Sequence, residues 1–543
     1  MSAADDGDPT KFAAIYDPSS PLLSKPSTSA LDSPRRSDPE SDPTQFLQIS
    51  YNFGPRPFKD ITFLLLFDLF VFSTFAFGIF SIFHRNNDYG DSSASFTYDL
   101  SSSSCVKNQT FTNKSAVLSE SDPVFEKDLI WTLVVTLILS IPFCFLVLLL
   151  LKHYTKQIVY ACLPLFVVFP VFFNLYWFVA CTLSSSCSDA LPLGYRVLVL
   201  VFVFLVIGIV VWIIVANWHR IELTIQIIGV ASDALSRNLK LFVVLPLLIL
   251  GLVVFCAPVV VFLVFARFNG EFVPREVDGE YVCEWKEDSW VPAYYALAIL
   301  TMIWSLAVMV EMQVYVISGA IAQWYFSKEE SMPKKCIRSS LRNAFGQSFG
   351  TICLSGILIA VVRVVRAIVD NAREENPQGI VNFVLRCCAN TLLGAFDYLN
   401  KFTINFAAIT GESYCTSAKM TYELLRRNLL SAVFVETVST RILTGIVFVL
   451  SAAYAVATWA VLRGVSSLGV DSYLVAILAW LLLSLVLAFF VHVLDNVIDT
   501  IYVCYAIDRD KGEVCKQEVH EVYVHLPISR STRSALIPNA LNA

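Results

Sequence analysis

Long apolar runs constrain this chain more than any motif it carries. Segments near 61–83, 129–151, 158–183, 193–216, 241–265, 292–318, 346–369, 380–410, 430–461 and 473–503 are rich in Leu, Val, Ile and Phe. At 1.5 Å rise per residue each is long enough to cross a hydrocarbon core of roughly 30 Å. Only 15% of the 543 residues are charged and mean hydropathy is +0.64, far from a soluble domain. The runs lack the ten-residue alternation of a transmembrane β-barrel. The expected fold is therefore an all-α, polytopic transmembrane helical bundle of about ten spans over residues 61–505, with a disordered N-terminal tail.

Residues 1–60 are rich in Ser, Pro and Asp and carry too little apolar surface to fold, so they are expected to form a disordered cytosolic tail. The first apolar run lies behind this tail, which argues against a cleaved signal peptide and for a signal anchor. Ser20-Pro21 and Ser33-Pro34 are common patterns in such tails and carry no assigned role. Residues 506–543 form a second, C-terminal cytosolic tail.

An even span count puts both termini on one side, and charge decides which. The loop from His84 to Asp128 has four Lys/Arg against seven Asp/Glu, and that from Arg267 to Val291 has three against seven. Both read as extracellular. Lys152 and Lys156 in a tight turn, Arg220, Arg237 and Lys240 in another, and Lys328, Lys334, Lys335, Arg338 and Arg342 in a third read as cytosolic. Two N-glycosylation sequons, at Asn108 and Asn113, fall in the 84–128 loop and agree with this orientation. Cys105, Cys187 and Cys283 lie in outside loops and Cys181 near an outside helix end, so bridges are expected there. Cys181–Cys187 is the most local pairing, and Cys105–Cys283 would tie the two long loops together. Arg363, Arg366, Arg373 and Arg386 flank a link that ten crossings would place outside, against the charge rule. Either Asp370, Glu374 and Glu375 neutralise them, or this pair of segments is broken or partly re-entrant.

No enzymatic constellation is present. The six His are scattered, and there is no His-Glu-x-x-His, phosphate-binding glycine loop or Gly-x-Ser-x-Gly elbow. No cofactor is implied, and no basic block suggests nucleic acid. Charges within spans are more informative, because each costs at least ~2.5 kcal/mol at mid-bilayer unless a cavity or partner accepts it. Glu311 lies about twenty residues into the sixth run, with Gln313 close by and Trp304 two turns earlier. A carboxylate near aromatic faces suits a quaternary ammonium, which cannot donate hydrogen bonds; alternatively Glu311 reaches headgroups near the cytosolic end. Tyr176 and Trp177, beyond Pro164 and Pro170, either line a cavity opened by a proline kink or form a lipid-facing belt. Asp397 and Lys401 are spaced to pair within one helix. His492, Asp495 and Asp499 share one helix face and are expected near the cytosolic interface. Gly346-x-x-x-Gly350 is a pattern suited to close helix packing.

The C-terminal half also carries recognisable strings. Phe396-Asp-Tyr-Leu-Asn400-Lys-Phe-Thr, Asn405-Phe-Ala-Ala-Ile-Thr-Gly411 and Cys415-Thr-Ser-Ala-Lys419 resemble the choline transporter-like family, as do Ser318-Gly-Ala-Ile-Ala-Gln-Trp-Tyr-Phe326 and Asp499-Thr-Ile-Tyr-Val-Cys-Tyr-Ala-Ile-Asp508. The resemblance covers roughly residues 290–512, and the short first outside loop looks like the fungal and plant branch. It implies a ten-span carrier of choline or a related organic cation in the plasma membrane or an organelle membrane, with the lipid bilayer as its surroundings. A carrier of a smaller amine such as ethanolamine, and a non-transporting protein of trafficking or lipid homeostasis, are the alternatives.

Overall fold

In a bilayer every backbone N–H and C=O must be satisfied within the segment, so apolar runs of this length fold as helices. The computed structural model describes residues 51–52, 54, 56–86, 96–99, 104–107, 123–183, 187, 192–277, 280–327, 336–375, 380–465, 471–511 and 513–526. Its helices are α1 (Ile61–Phe83), α2 (Pro123–Leu183), α3 (Leu193–Ala216), α4 (Trp218–Arg237), α5 (Leu241–Ala266), α6 (Val291–Phe326), α7 (Cys336–Phe345), α8 (Phe349–Glu375), α9 (Ile380–Thr410), α10 (Tyr414–Val465), α11 (Asp471–Lys511) and α12 (Gln517–Tyr523). The chain is an all-α, multi-pass membrane protein. Among the described residues, eight helices are long and apolar enough to cross a membrane.

Eight differs from ten for two reasons. The second and third expected spans follow each other directly as two helices across a kink and are numbered together as α2, whose 61 residues are enough for two crossings. The tight turn expected at Lys152–Lys156 is reduced to one non-helical residue, Tyr154 (φ −130°, ψ 25°). Of the eighth expected span, α9, the described residues 389–410 are too polar to count by composition, because they carry Asp397, Asn400, Lys401 and Asn405.

Two antiparallel hairpins cap one end of the bundle. β1 (Phe96–Asp99) pairs with β2 (Ser104–Lys107), and β3 (Gly270–Val277) with β4 (Glu280–Glu287). Phe96 stacks on Phe272 and Tyr98 on Tyr281, joining the hairpins. The Cys105–Cys283 disulfide bonds them covalently, and Cys181–Cys187 closes the end of α2, matching both expected pairings. This end is the hairpin face. Asn108 and Asn113 lie outside the described residues.

The core follows α6 and α11, which are buried almost continuously over Glu311–Tyr325 and Val493–Ile507. By contrast, α3 buries only Arg196, which donates to Thr182, and presents its remaining apolar surface outward. Phe172, Phe173 and Tyr176 on the distal half of α2 are also exposed, the disposition of a lipid-facing belt rather than a cavity wall.

One buried element was not anticipated. Residues 218–237 were expected to be a cytosolic link, yet α4 is an amphipathic helix whose Ile221, Ile225, Ile228, Ala231 and Leu235 are buried. Its polar face takes the cations of α2: Lys152 pairs with Asp233 at 2.9 Å and Lys156 with Glu222 at 3.2 Å. Burial works to raise the Asp233 carboxyl, but the Lys152 hydrogen bond and nearby Arg237 outweigh it and hold the carboxyl below its ordinary value.

The end of the N-terminal tail is packed, a correction to the disordered segment expected through residue 60. Tyr51 and Arg56 are each only 5% exposed. Asn52 donates its backbone N–H to Ile409 O, and Lys59 donates its own to Gln347 O. These residues form a strap across the end of the bundle opposite the hairpins, the strap face.

Candidate cation site

Glu311 is the twenty-first residue of α6, about 30 Å from its hairpin-face end. It is 6% exposed, so it does not snorkel to headgroups. Two neutral side chains hold it. Ser355 of α8 donates to Oε2 at 2.9 Å, and Asn400 of α9 donates to the same oxygen at 3.2 Å. Among the described residues every hydrogen bond to Glu311 goes to Oε2, and no Lys or Arg forms an ion pair with it. Ser355 and Asn400 also bond each other at 2.9 Å. The Asn400 carbonyl oxygen accepts from the Tyr414 hydroxyl at 2.6 Å. A carboxylate, a hydroxyl, an amide and a phenol from four helices thus converge within the bundle.

Trp304 and Glu311 share one face of α6. The indole N–H donates to Cys353 O at 3.0 Å, and Phe67 and Phe70 of α1 meet its ring edge-on. This fixes the orientation of a large aromatic two turns from the carboxylate. Gln313 is buried but two residues along the helix, about 200° around the axis from Glu311, so it faces elsewhere. Tyr176 is exposed and Trp177 half-buried on α2. Among the described residues neither shares a hydrogen bond or ring contact with the Glu311 cluster. The site therefore retains Glu311 and Trp304 from the sequence-based set and adds Ser355, Asn400 and Tyr414. Ser355 does not stand out within an apolar run, and Asn400 stands in the sequence between the charges Asp397 and Lys401.

Those charges pair differently from expectation. Asp397 and Lys401 do not neutralise each other along α9. Asp397 accepts from Arg366 of α8 at 2.9 Å, and Lys401 pairs with Asp499 of α11 at 2.5 Å. Arg366, one of the arginines that defied the charge rule, thus has a carboxylate partner. The His492–Asp495–Asp499 stripe faces into the bundle: Asp499 is 1% exposed, and Asp495 accepts from Thr440 of α10 at 2.6 Å. Helix-to-helix pairing satisfies each charge where one-helix spacing had suggested a local solution. Gly350 likewise does not serve helix packing: a Cβ there would meet Asp60 O at 2.4 Å and Lys59 O at 2.6 Å, so its missing side chain makes room for the strap.

A geometry of this kind can hold a monovalent organic cation. It brings together a buried carboxyl whose other oxygen has no hydrogen bond among the described residues, the hydroxyl of Ser355, the amide of Asn400 and the phenol of Tyr414.

Comparison with known proteins places the chain. The family model described as plasma-membrane choline transporter matches residues 201–510, more than half of the sequence. A human choline transporter-like protein 3 is 25% identical over 310 residues, covering 54% of this chain and 46% of its own length. A CTL-like protein of Dictyostelium discoideum is 28% identical over 220 residues, covering 38% of this chain and 39% of its own. Protein PNS1 of Gibberella zeae is 32% identical over 116 residues, covering 20% and 21%. The chain thus spans less than half of each of these relatives. The matched region contains Glu311, Ser355, Asn400 and Tyr414, and the chain belongs to the choline transporter-like family.

Proposed function

We propose that this membrane transporter-family protein carries choline, or a closely related quaternary ammonium, at the Glu311 cluster. The observation that carries this reading is a buried carboxyl that, among the described residues, is hydrogen-bonded only by neutral side chains and has one oxygen without a hydrogen bond. Burying a carboxyl in its charged form is costly, and a cationic substrate would offset that cost. A trimethylammonium group has no N–H to donate, so it needs the field of the carboxylate and the faces of rings such as Trp304 and Tyr414. The choline hydroxyl would find its partners in Ser355 and Asn400.

The membrane potential is a sufficient driving force. One positive charge gains about 2.3 kcal/mol per 100 mV on moving to the negative side, and no coupling ion is needed to concentrate it. In this reading the hairpin face is extracellular, as its acidic loops and two disulfides favour, with Asn108 and Asn113 as glycosylation sites. The strap face and both termini are cytosolic, and the plasma membrane is the place of action.

A second reading, a primary amine such as ethanolamine, draws on the acceptors at the site, since a primary ammonium could hydrogen-bond Glu311 and Asn400 directly. Competition separates the two. Unlabelled choline and its trimethylated analogues should block labelled choline uptake by the purified protein well below the concentration at which ethanolamine does. Equal potency, or stronger block by ethanolamine, would reverse the assignment.

A further inference from the structure

The strap is tied to every helix that builds the Glu311 cluster. Arg56 donates to the Tyr315 hydroxyl of α6 at 2.7 Å and to Ala408 O of α9 at 3.0 Å. Tyr315 in turn donates to Ser348, just before α8. Asp60 accepts from Thr351 of α8 at 2.8 Å and from the backbone N–H of Tyr414, the first residue of α10, at 2.9 Å. Lys59 pairs with Glu412 in the α9–α10 link at 3.2 Å. Ser355 and Asn400 lie only about 9 Å and 15 Å along their helices from this end.

Three features distinguish this strap from a permanent structural tie. Beyond the buried Tyr51, the attachments of residues 56–60 among the described residues are hydrogen bonds and one ion pair, which water can replace. The Arg56 guanidinium is buried without a carboxylate partner among the described residues, and its Nε is buried without an acceptor, so the closed arrangement keeps a charge in an environment that water would improve. Asp60 is held at φ 51°, in the left-handed region that disfavours a residue with a Cβ. Tyr414 then links strap and site directly. Its backbone N–H reaches Asp60, and its hydroxyl reaches Asn400, which holds Glu311.

We propose that the described residues 56–60 of the strap, with Tyr51 and Asn52, are a latch closing the strap end of the path to Glu311, with Tyr414 as the positioning residue that couples latch and site. This rests on the reading of Glu311 as the cation site. When the latch is shut, the strap bridges Tyr315 of α6 and the ends of α8, α9 and α10 and keeps water from the cluster. When a cation takes over part of the Glu311 charge, Asn400 and Tyr414 lose their present geometry, and the Asp60 bond to the α10 terminus is weakened with them.

Cys353 offers a readout independent of substrate. It is fully buried, two residues from Ser355 and near the strap end of α8. In full-length protein in nanodiscs, modification of Cys353 by a water-soluble maleimide, followed by peptide mass spectrometry, should quicken at least ~10-fold in Arg56→Ala and in Asp60→Asn, the loss of about one hydrogen bond's worth of closure. Rates equal to wild type in both variants would overturn the latch, whatever the cargo. Should choline fail to bind the wild type while Cys353 still opens in the variants, the latch stands and the substrate assignment falls. A complementary experiment avoids weakening the fold. In a background with the exposed Cys415 and Cys515 changed to Ser, Lys59→Cys and Glu412→Cys are joined by a reducible bifunctional thiosulfonate in proteoliposomes. Choline transport should fall on joining and return when the reductant cleaves the link, with treated single-cysteine controls unaffected; transport at an unchanged rate while joined would overturn the proposal.

Discussion

Asn400 donates its amide to Glu311 Oε2 at 3.2 Å while its carbonyl oxygen accepts the Tyr414 hydroxyl at 2.6 Å. One side chain thus connects the buried carboxylate to the start of the next helix, and both of its polar ends are engaged. Truncating it should be felt on either side. Asn400→Ala leaves the Tyr414 hydroxyl buried without its acceptor, at a cost of about 1–3 kcal/mol, and should lower transport efficiency by roughly 10–100-fold. Tyr414→Phe removes only the hydroxyl and should be several-fold milder. Initial rates of labelled choline uptake check both; equal effects of the two substitutions would contradict the connection described.

The Lys401–Asp499 pair lies in the same bundle but serves a different purpose, since each residue neutralises a charge that the other helix brings in. Lys401→Met leaves the Asp499 carboxylate buried alone and should destabilise the protein by about 3–5 kcal/mol, whereas adding Asp499→Leu should recover most of that loss. Thermal unfolding in detergent gives the answer. Additive losses in the double variant would mean the two charges are independent.

Glycines at two positions separate close approach from open space. Gly350→Ala drives a methyl into the strap backbone and should cost about 1–3 kcal/mol. Gly251→Ala in α5 meets nothing within 4 Å and should be neutral or stabilising by up to about 1 kcal/mol. The same melting assay compares them, with Cys353 labelling expected to rise only in the Gly350 variant.

The docking of α4 on α2 carries a pH signature. The Asp233 carboxyl is held below its ordinary value in the folded protein. Its ionised form therefore adds stability that is fully present above the unfolded value of about 3.9 and is lost as pH falls through the lower folded value. Acidification below about pH 4 should loosen α4 in the wild type, seen as increased hydrogen exchange over residues 218–237. Asp233→Asn should show faster exchange at neutral pH and a flatter acid response.

Much of this architecture was legible in the sequence because bilayer thickness sets a length that apolar runs must meet. The disulfides were legible because few cysteines fall in the loops at the hairpin face, and chain geometry favours the local pair and the loop-to-loop pair. Other features depend on contacts that spacing does not encode. Asp397 and Lys401 are placed to meet, yet their partners come from α8 and α11. The α4 helix has its apolar positions at helical spacing, but its charged ends and its place between two spans made it look like a loop. Arg56 lies in a short Pro-flanked stretch whose burial is supplied by Tyr315 and Ala408, more than 250 residues away. Within the site, Glu311 was conspicuous because a charge in an apolar run demands explanation. Ser355 was not, because a serine in a helix satisfies its own backbone in many other places.

The central claim is that Glu311 takes the charge of a transported organic cation. The most direct test is labelled choline uptake into liposomes containing the purified protein, with and without an inside-negative potential, for wild type and Glu311→Gln. Saturable uptake that grows with the potential, and falls at least ~10-fold in the Gln variant, is the predicted result. Undiminished uptake by Glu311→Gln, or wild-type uptake no greater than that of empty liposomes, would contradict it.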